Sequence, residues 1–191
     1  MHFGSKVTEN IEVTRHLKRY FPEYFEKNKR AISAISPGVM GLTGIETIEI
    51  VKGIVQNINP KLIIAIDSLA SKNIERINKS IQISDTGIIP GGGVENAQKE
   101  LTKESLGIPV IAMGIPTVIE SKTLINNAIN LFIEKLQENG NSNDYLDKLK
   151  IKNNYDEINP PKSNLIVTPK EIDELIQDMA FFISSGINKA L

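Results

Sequence analysis

The segment Lys61-Leu62-Ile63-Ile64-Ala65-Ile66 constrains this chain more than any other. Its apolar run is continuous rather than alternating, the pattern of a β-strand covered on both faces. A helical pattern precedes it. Thr43 followed by Glu46 reads as a capping box, Ile48, Val51, Val55 and Ile58 form one apolar stripe, and Asn59-Pro60 stops the helix. Before that helix, residues 31–36 (AISAIS) read as a second buried strand. Strand, helix and strand within about 35 residues make a βαβ unit with parallel strands and a right-handed crossover.

The remaining pattern extends this alternation. A helix is expected over residues 5–18, with Val7, Ile11, Thr14 and Leu17 on one face. Residues 79–84 (KSIQIS) and 107–113 (GIPVIAM) read as strands. The helix at 121–137 carries a stripe of Ile125, Ala128, Ile129, Phe132 and Leu136. A last helix starts at Thr168-Pro169, with Ile172, Leu175, Ile176, Met179, Ile183 and Ile187 turned inward. The expected class is α/β, three layers in α/β/α order around a mainly parallel central sheet. Its 191 residues suit one domain, 1–191. Residues 138–164, rich in Asn, Lys, Asp and Gly, read as a flexible insertion.

Composition narrows function by exclusion. The net charge of −1 gives no electrostatic basis for nucleic-acid or membrane binding. The absence of cysteine removes disulfides, thiolate nucleophiles and zinc–cysteine sites, and it is compatible with a reducing cytoplasm. The two histidines, His2 and His16, are scattered, so neither a Ser–His–Asp triad nor a histidine metal site is supported. Without a GxGxxG fingerprint or a P-loop, no cofactor is expected, and no metal.

Ligands of parallel sheets gather at the carboxyl ends of the strands. Asp67 directly follows the Lys61–Ile66 run at that edge, where a carboxylate can hold or activate a water. Position alone leaves open the alternative that Asp67 caps a helical turn beginning at Ser68-Leu69-Ala70. Three glycine-rich loops should meet at the same edge: Pro37–Gly41, Pro90–Gly93 and Gly114–Thr117. Of their glycines, Gly41, Gly91 and Gly92 are candidates to support the site. The Pro90-Gly91-Gly92-Gly93 amides can address an oxyanion or a substrate strand, although a tight turn that needs glycine is the simpler reading. Asp85 and Glu46 are further candidate acids. Asp85-Thr86-Gly87 matches the D-T-G of pepsin-like and retroviral proteases, but its surroundings do not fit those folds, and a turn aspartate accounts for it. Glu46 is most simply the capping-box partner.

Longer blocks are more specific. Ser36–Gly41 with Thr43–Thr47, Ile63–Ala70, Glu75–Asn78, Ile81–Gly87, Leu106–Ala112, Gly114–Val118 and Val167–Asp173 occur in an order that resembles the germination proteases of spore-forming bacteria. The resemblance implies an aspartic-type endopeptidase that begins the breakdown of small acid-soluble spore proteins in the spore core. It implies a fold similar to the hydrogenase-maturation proteases, a homo-oligomer (a tetramer), and an inactive precursor trimmed by self-cleavage. It also implies two catalytic aspartates. One closes the I-I-A-I-D strand, at Asp67. The other lies just before the family's L-G-x-K-x-x-x-N motif, here Phe3–Asn10, which puts Met1 in its place. From this the chain is expected to begin inside a larger protein and to be weakly active or inactive as it stands. Where the family often has histidine before Pro90-Gly91, this chain has Ile89. Two rival roles are a metal-dependent hydrolase like the hydrogenase-maturation proteases, against which the acids are incomplete and the histidines misplaced, and a non-enzymatic remnant or assembly subunit.

Overall fold

A computed structural model describes residues 3–25, 29–91, 99–138 and 165–191. The elements are α1 (Phe3–Glu9), α2 (Arg15–Tyr20), α3 (Met40–Thr43), α4 (Thr47–Ile58), β1 (Ile63–Ser71), β2 (Gln82–Ser84), α5 (Lys103–Leu106), β3 (Val110–Glu120), α6 (Ser121–Glu138), β4 (Ile166–Val167) and α7 (Ile172–Ala190). The chain is α/β, as expected, and falls into two compact units. One comprises Met1–Leu69, Ile81–Ile115 and Glu171–Leu191; the other comprises Ala70–Ser80 and Pro116–Lys170.

In the first unit the strand order is β1-β3-β2. The Ile63 N–H donates to the Pro109 carbonyl at 3.0 Å. Further along, Leu69 packs on Gly114, where an added Cβ would lie 2.5 Å from the Leu69 side chain. The two long strands therefore run side by side in the same direction. The short β2 pairs antiparallel with β3, Ile83 opposite Met113.

Because side chains alternate along a strand, β1 feeds two apolar clusters. Ile64 and Ile66 pack with Met113, Ile115, Phe3 and Val7 of α1, and Ile176, Ala180, Ile183 and Ile187 of α7. Ile63 and Ala65 pack with Val110, Leu101, Leu106 and the α4 residues Ile48, Val51 and Val55. Covered on both faces, β1 has the continuous apolar run that its sequence carries. Each large aliphatic or aromatic side chain so buried contributes roughly 1.5–3 kcal/mol. The α7 stripe lies inward as expected, with Ile176, Ile183 and Ile187 buried.

Several expectations are corrected. The helix over 5–18 is two short helices, because Asn10 and Thr14 turn their side chains to the backbone: Asn10 Nδ2 donates to the Lys6 carbonyl and Thr14 Oγ1 to the Arg30 carbonyl. Residues 31–36 form no strand, so the βαβ unit that began there is not formed among the described residues. Instead the Thr14 and Arg15 amides both donate to the Ile32 carbonyl, and the Ile32 amide donates to Thr14 Oγ1. The capping box lies three residues later than expected. Glu46 is the N-cap of α4, its amide donating to Glu49 Oε2 at 3.1 Å, while Thr43 closes the short helix α3. The strand expected at 79–84 is confined to Gln82–Ser84.

The strand expected at 107–113 runs on to Glu120 and absorbs Gly114–Thr117, which is therefore buried strand and not a loop. Pro116 is tolerated there because β2 pairs with residues 112–114 and β4 with 119–120, leaving its missing N–H outside both ladders. α7 begins at Ile172; the Thr168 hydroxyl, expected as its cap, donates to the Thr117 carbonyl.

In the second unit β4 pairs antiparallel with the end of β3, Ile119 opposite Val167. α6 covers the expected 121–137, but its buried residues are Thr123, Asn126 and Ile133. Ile125 and Phe132, expected inward, are 43% and 63% exposed. A polar contact from the neighbouring position, Asn127 Nδ2 to the Lys72 carbonyl at 3.2 Å, accompanies this orientation. Apart from Glu138, at the end of α6, the insertion expected at 138–164 lies outside the described residues.

Candidate active site

Asp67 does not end its strand. β1 continues to Ser71, so the alternative of a helical turn at Ser68–Ala70 is overturned. Asp67 continues the row Ile63, Ala65 on the side of β1 that faces α4. It is half-buried, and both its oxygens accept a backbone amide: Oδ1 from Ser68 at 2.8 Å and Oδ2 from Gly91 at 2.9 Å. The first is local and the second ties in the Pro-Gly-Gly-Gly loop. Gly91 makes that approach at φ +67°, a left-handed conformation that a side chain disfavours by about 1–2 kcal/mol. Charge-assisted hydrogen bonds of this kind contribute roughly 1.5–3 kcal/mol each and fix the orientation of the carboxylate.

Glu46 is the N-cap of α4, the helix that packs on the same side of β1. Asn59–Leu62 links α4 directly to β1, so the helix packs back along the strand with its head toward the far end. Glu46, as N-cap, sits at that head. Among the described residues its Oε2 is buried without a hydrogen bond and forms an ion pair with Lys99 Nζ at 3.5 Å, while the side chain also takes part in the α4 capping box. Gly91 and Lys99 flank residues 92–98, so each end of this stretch meets one of the two carboxylates.

The other candidates stand apart. Asp85 is exposed at the end of β2, in a turn where Ser84 and Thr86 bond to each other through their hydroxyls. Gly87 in that turn has φ +92°, and the Leu101 carbonyl leaves no room for a Cβ. Gly41 lies exposed in α3 with nothing within 4 Å of a Cβ built on it. His16 is exposed on α2. Gly92 and His2 lie outside the described residues. Among the described residues no group of three or more His, Cys, Asp or Glu is placed to hold a metal, and no helix is long and apolar enough to cross a membrane.

Sequence reasoning missed Lys99 and the Ser68 amide. No local signal marks Lys99: it lies in a polar stretch and meets Glu46 only through the fold. The Ser68 amide was masked by the expected helical turn.

The sequence profile of the family described as germination protease matches residues 2–155 and 145–191. A germination protease of Caldanaerobacter subterraneus subsp. tengcongensis is 47% identical over 196 residues, covering 98% of this chain and 60% of the relative. One from Clostridium acetobutylicum is 44% identical, with the same shares of each chain covered. One from Bacillus cereus is 42% identical over 227 residues, covering 98% and 62%. The chain thus spans about three-fifths of the length of these relatives.

Proposed function

Because the chain belongs to the germination protease family, we propose that it is an aspartic-type endopeptidase of spore germination that opens the degradation of small acid-soluble spore proteins. Asp67 is the catalytic carboxylate, with Gly91 orienting it. Gly41, Gly92, Asp85 and Glu46 are supporting candidates, of which Glu46 is the best placed.

The observation that carries this reading is the half-buried Asp67 carboxylate, held by a distant loop amide on the α4 side of β1. Such a group can take the proton of a water as that water attacks a peptide carbonyl. A packed structural aspartate would be satisfied by its own neighbours, and Asp67 reaches 24 residues along the chain.

The same proposal extends to a three-layer α/β/α arrangement like that of the hydrogenase-maturation proteases, a homo-oligomer, a precursor trimmed at its N-terminus, and action in the spore core. Incubating the purified chain with a small acid-soluble spore protein tests the reading. A single early cut, yielding two discrete fragments, is expected. An intact substrate after prolonged incubation at equimolar enzyme would contradict it.

A further inference from the structure

We infer that Gly4 is a positioning residue for Asp67: α1 rests on the peptide unit that leads into Asp67, and only glycine lets it rest there. Its effect on turnover depends on the peptidase reading; the contact itself does not. Gly4 is the second residue of α1, the helix whose Phe3 and Val7 are buried with Ile64 and Ile66 of β1 packed against them. A Cβ built on Gly4 would lie 2.6 Å from the Ile66 carbonyl oxygen and 3.6 Å from its carbon. That oxygen belongs to the planar unit that ends in the Asp67 nitrogen, so a push on it is passed rigidly to Asp67.

Backbone conformation does not call for this glycine. Gly4 is not among the glycines of positive φ, and inside a helix glycine is less favourable than alanine. Close approach is the remaining reason. Neither party can turn aside as a flexible side chain could. The obstacle is main chain, α1 is pinned by Phe3 and Val7, and β1 is packed on both faces. Asp67 is held at its other end by the Gly91 amide, 2.9 Å from Oδ2. Gly4 thus sets where the Asp67 backbone lies, and Gly91 sets where its carboxylate points. A shift at the first contact strains the second.

Gly4→Ala must part α1 and the Ile66 peptide from 2.6 Å to ordinary contact at 3.4 Å, about 0.8 Å, and a misplacement of about 1 Å can cost about 10²-fold in rate. The test sets this variant beside Gly53→Ala, at a helical glycine of α4 with nothing within 4 Å of an added Cβ. On a small acid-soluble spore protein, kcat of Gly4→Ala should fall about 10²-fold with KM within about threefold of wild type, while Gly53→Ala keeps the wild-type kcat. In proton–nitrogen correlation spectra the Gly91 amide of Gly4→Ala should move, and its hydrogen exchange should quicken about tenfold; in Gly53→Ala it should stay where it is. A merely structural role would lower the urea midpoint and leave the Gly91 amide unmoved in the folded variant. That result would overturn the inference, as would an unchanged kcat or a Gly4→Ala chain that does not fold. A wild-type chain that leaves the substrate intact would sink the peptidase reading alone, and the Gly91 amide would then decide whether Gly4 positions Asp67.

Discussion

The two acidic corners of this fold are built differently. Asp67 sits within a nine-residue strand, and both its oxygens accept amides. Glu46 sits at the head of a helix, its backbone amide satisfied by Glu49 while Oε2 pairs with the Lys99 ammonium at 3.5 Å. One carboxylate is held by backbone amides alone, and the other by its helix cap and an ion pair. A strand interior supplies rigid amide donors on either side. A helix N-terminus supplies donors that the N-cap and N3 residues share out in a reciprocal box, so the cap side chain is itself engaged.

The sharpest way to break this contrast is Gly91→Pro, which removes the amide donor to Asp67 Oδ2 and cannot adopt φ +67°. Asp67 would then resemble Glu46, with one oxygen unbonded. Peptide kcat should fall about 10²-fold, the scale of losing one preorganised donor, while Gly91→Ala, which keeps the amide, should lose less.

Next in size is Gly114→Ala. Its Cβ would strike Leu69, two residues beyond Asp67 on the same side of β1. Overpacking of this sort should destabilise the fold by about 1–3 kcal/mol in urea denaturation, and kcat should fall as β1 shifts. The smallest effect belongs to Lys99→Gln. The pair with Glu46, whose lysine end is mostly solvated, should contribute no more than about 1 kcal/mol, and added salt should reduce the difference from wild type. A larger loss would mean that Lys99 holds Glu46 as firmly as Gly91 holds Asp67.

Much of the scaffold of this site was legible in the sequence. The run Leu62–Ile66 announces a strand covered on both faces, and β1 is one; the stripes of α4 and α7 are inward where periodicity puts them. Periodicity defines which residues share a face but not which face is covered. Hence α6 has the expected period and buries Thr123 and Asn126 instead of Ile125 and Phe132.

Residues 31–36 have strand composition, yet a strand exists only where a neighbour supplies the ladder, and Thr14 claims Ile32 first. The Glu46–Lys99 and Asp67–Gly91 contacts join residues far apart in sequence, through backbone atoms or a surface lysine that carry no pattern of their own.

The central claim is that the Asp67 carboxylate performs the hydrolysis. Asp67→Asn replaces one oxygen by an amide nitrogen of nearly equal size; it gives up one of the two amide bonds and should lower the unfolding free energy in urea by about 1–3 kcal/mol, leaving the protein folded. Cleavage of a small acid-soluble spore protein by wild type and by this variant is the direct measurement. The account predicts a loss of about 10³-fold or more in kcat, the scale of removing an essential general base. A folded Asp67→Asn protein that still cuts at the wild-type rate would contradict it.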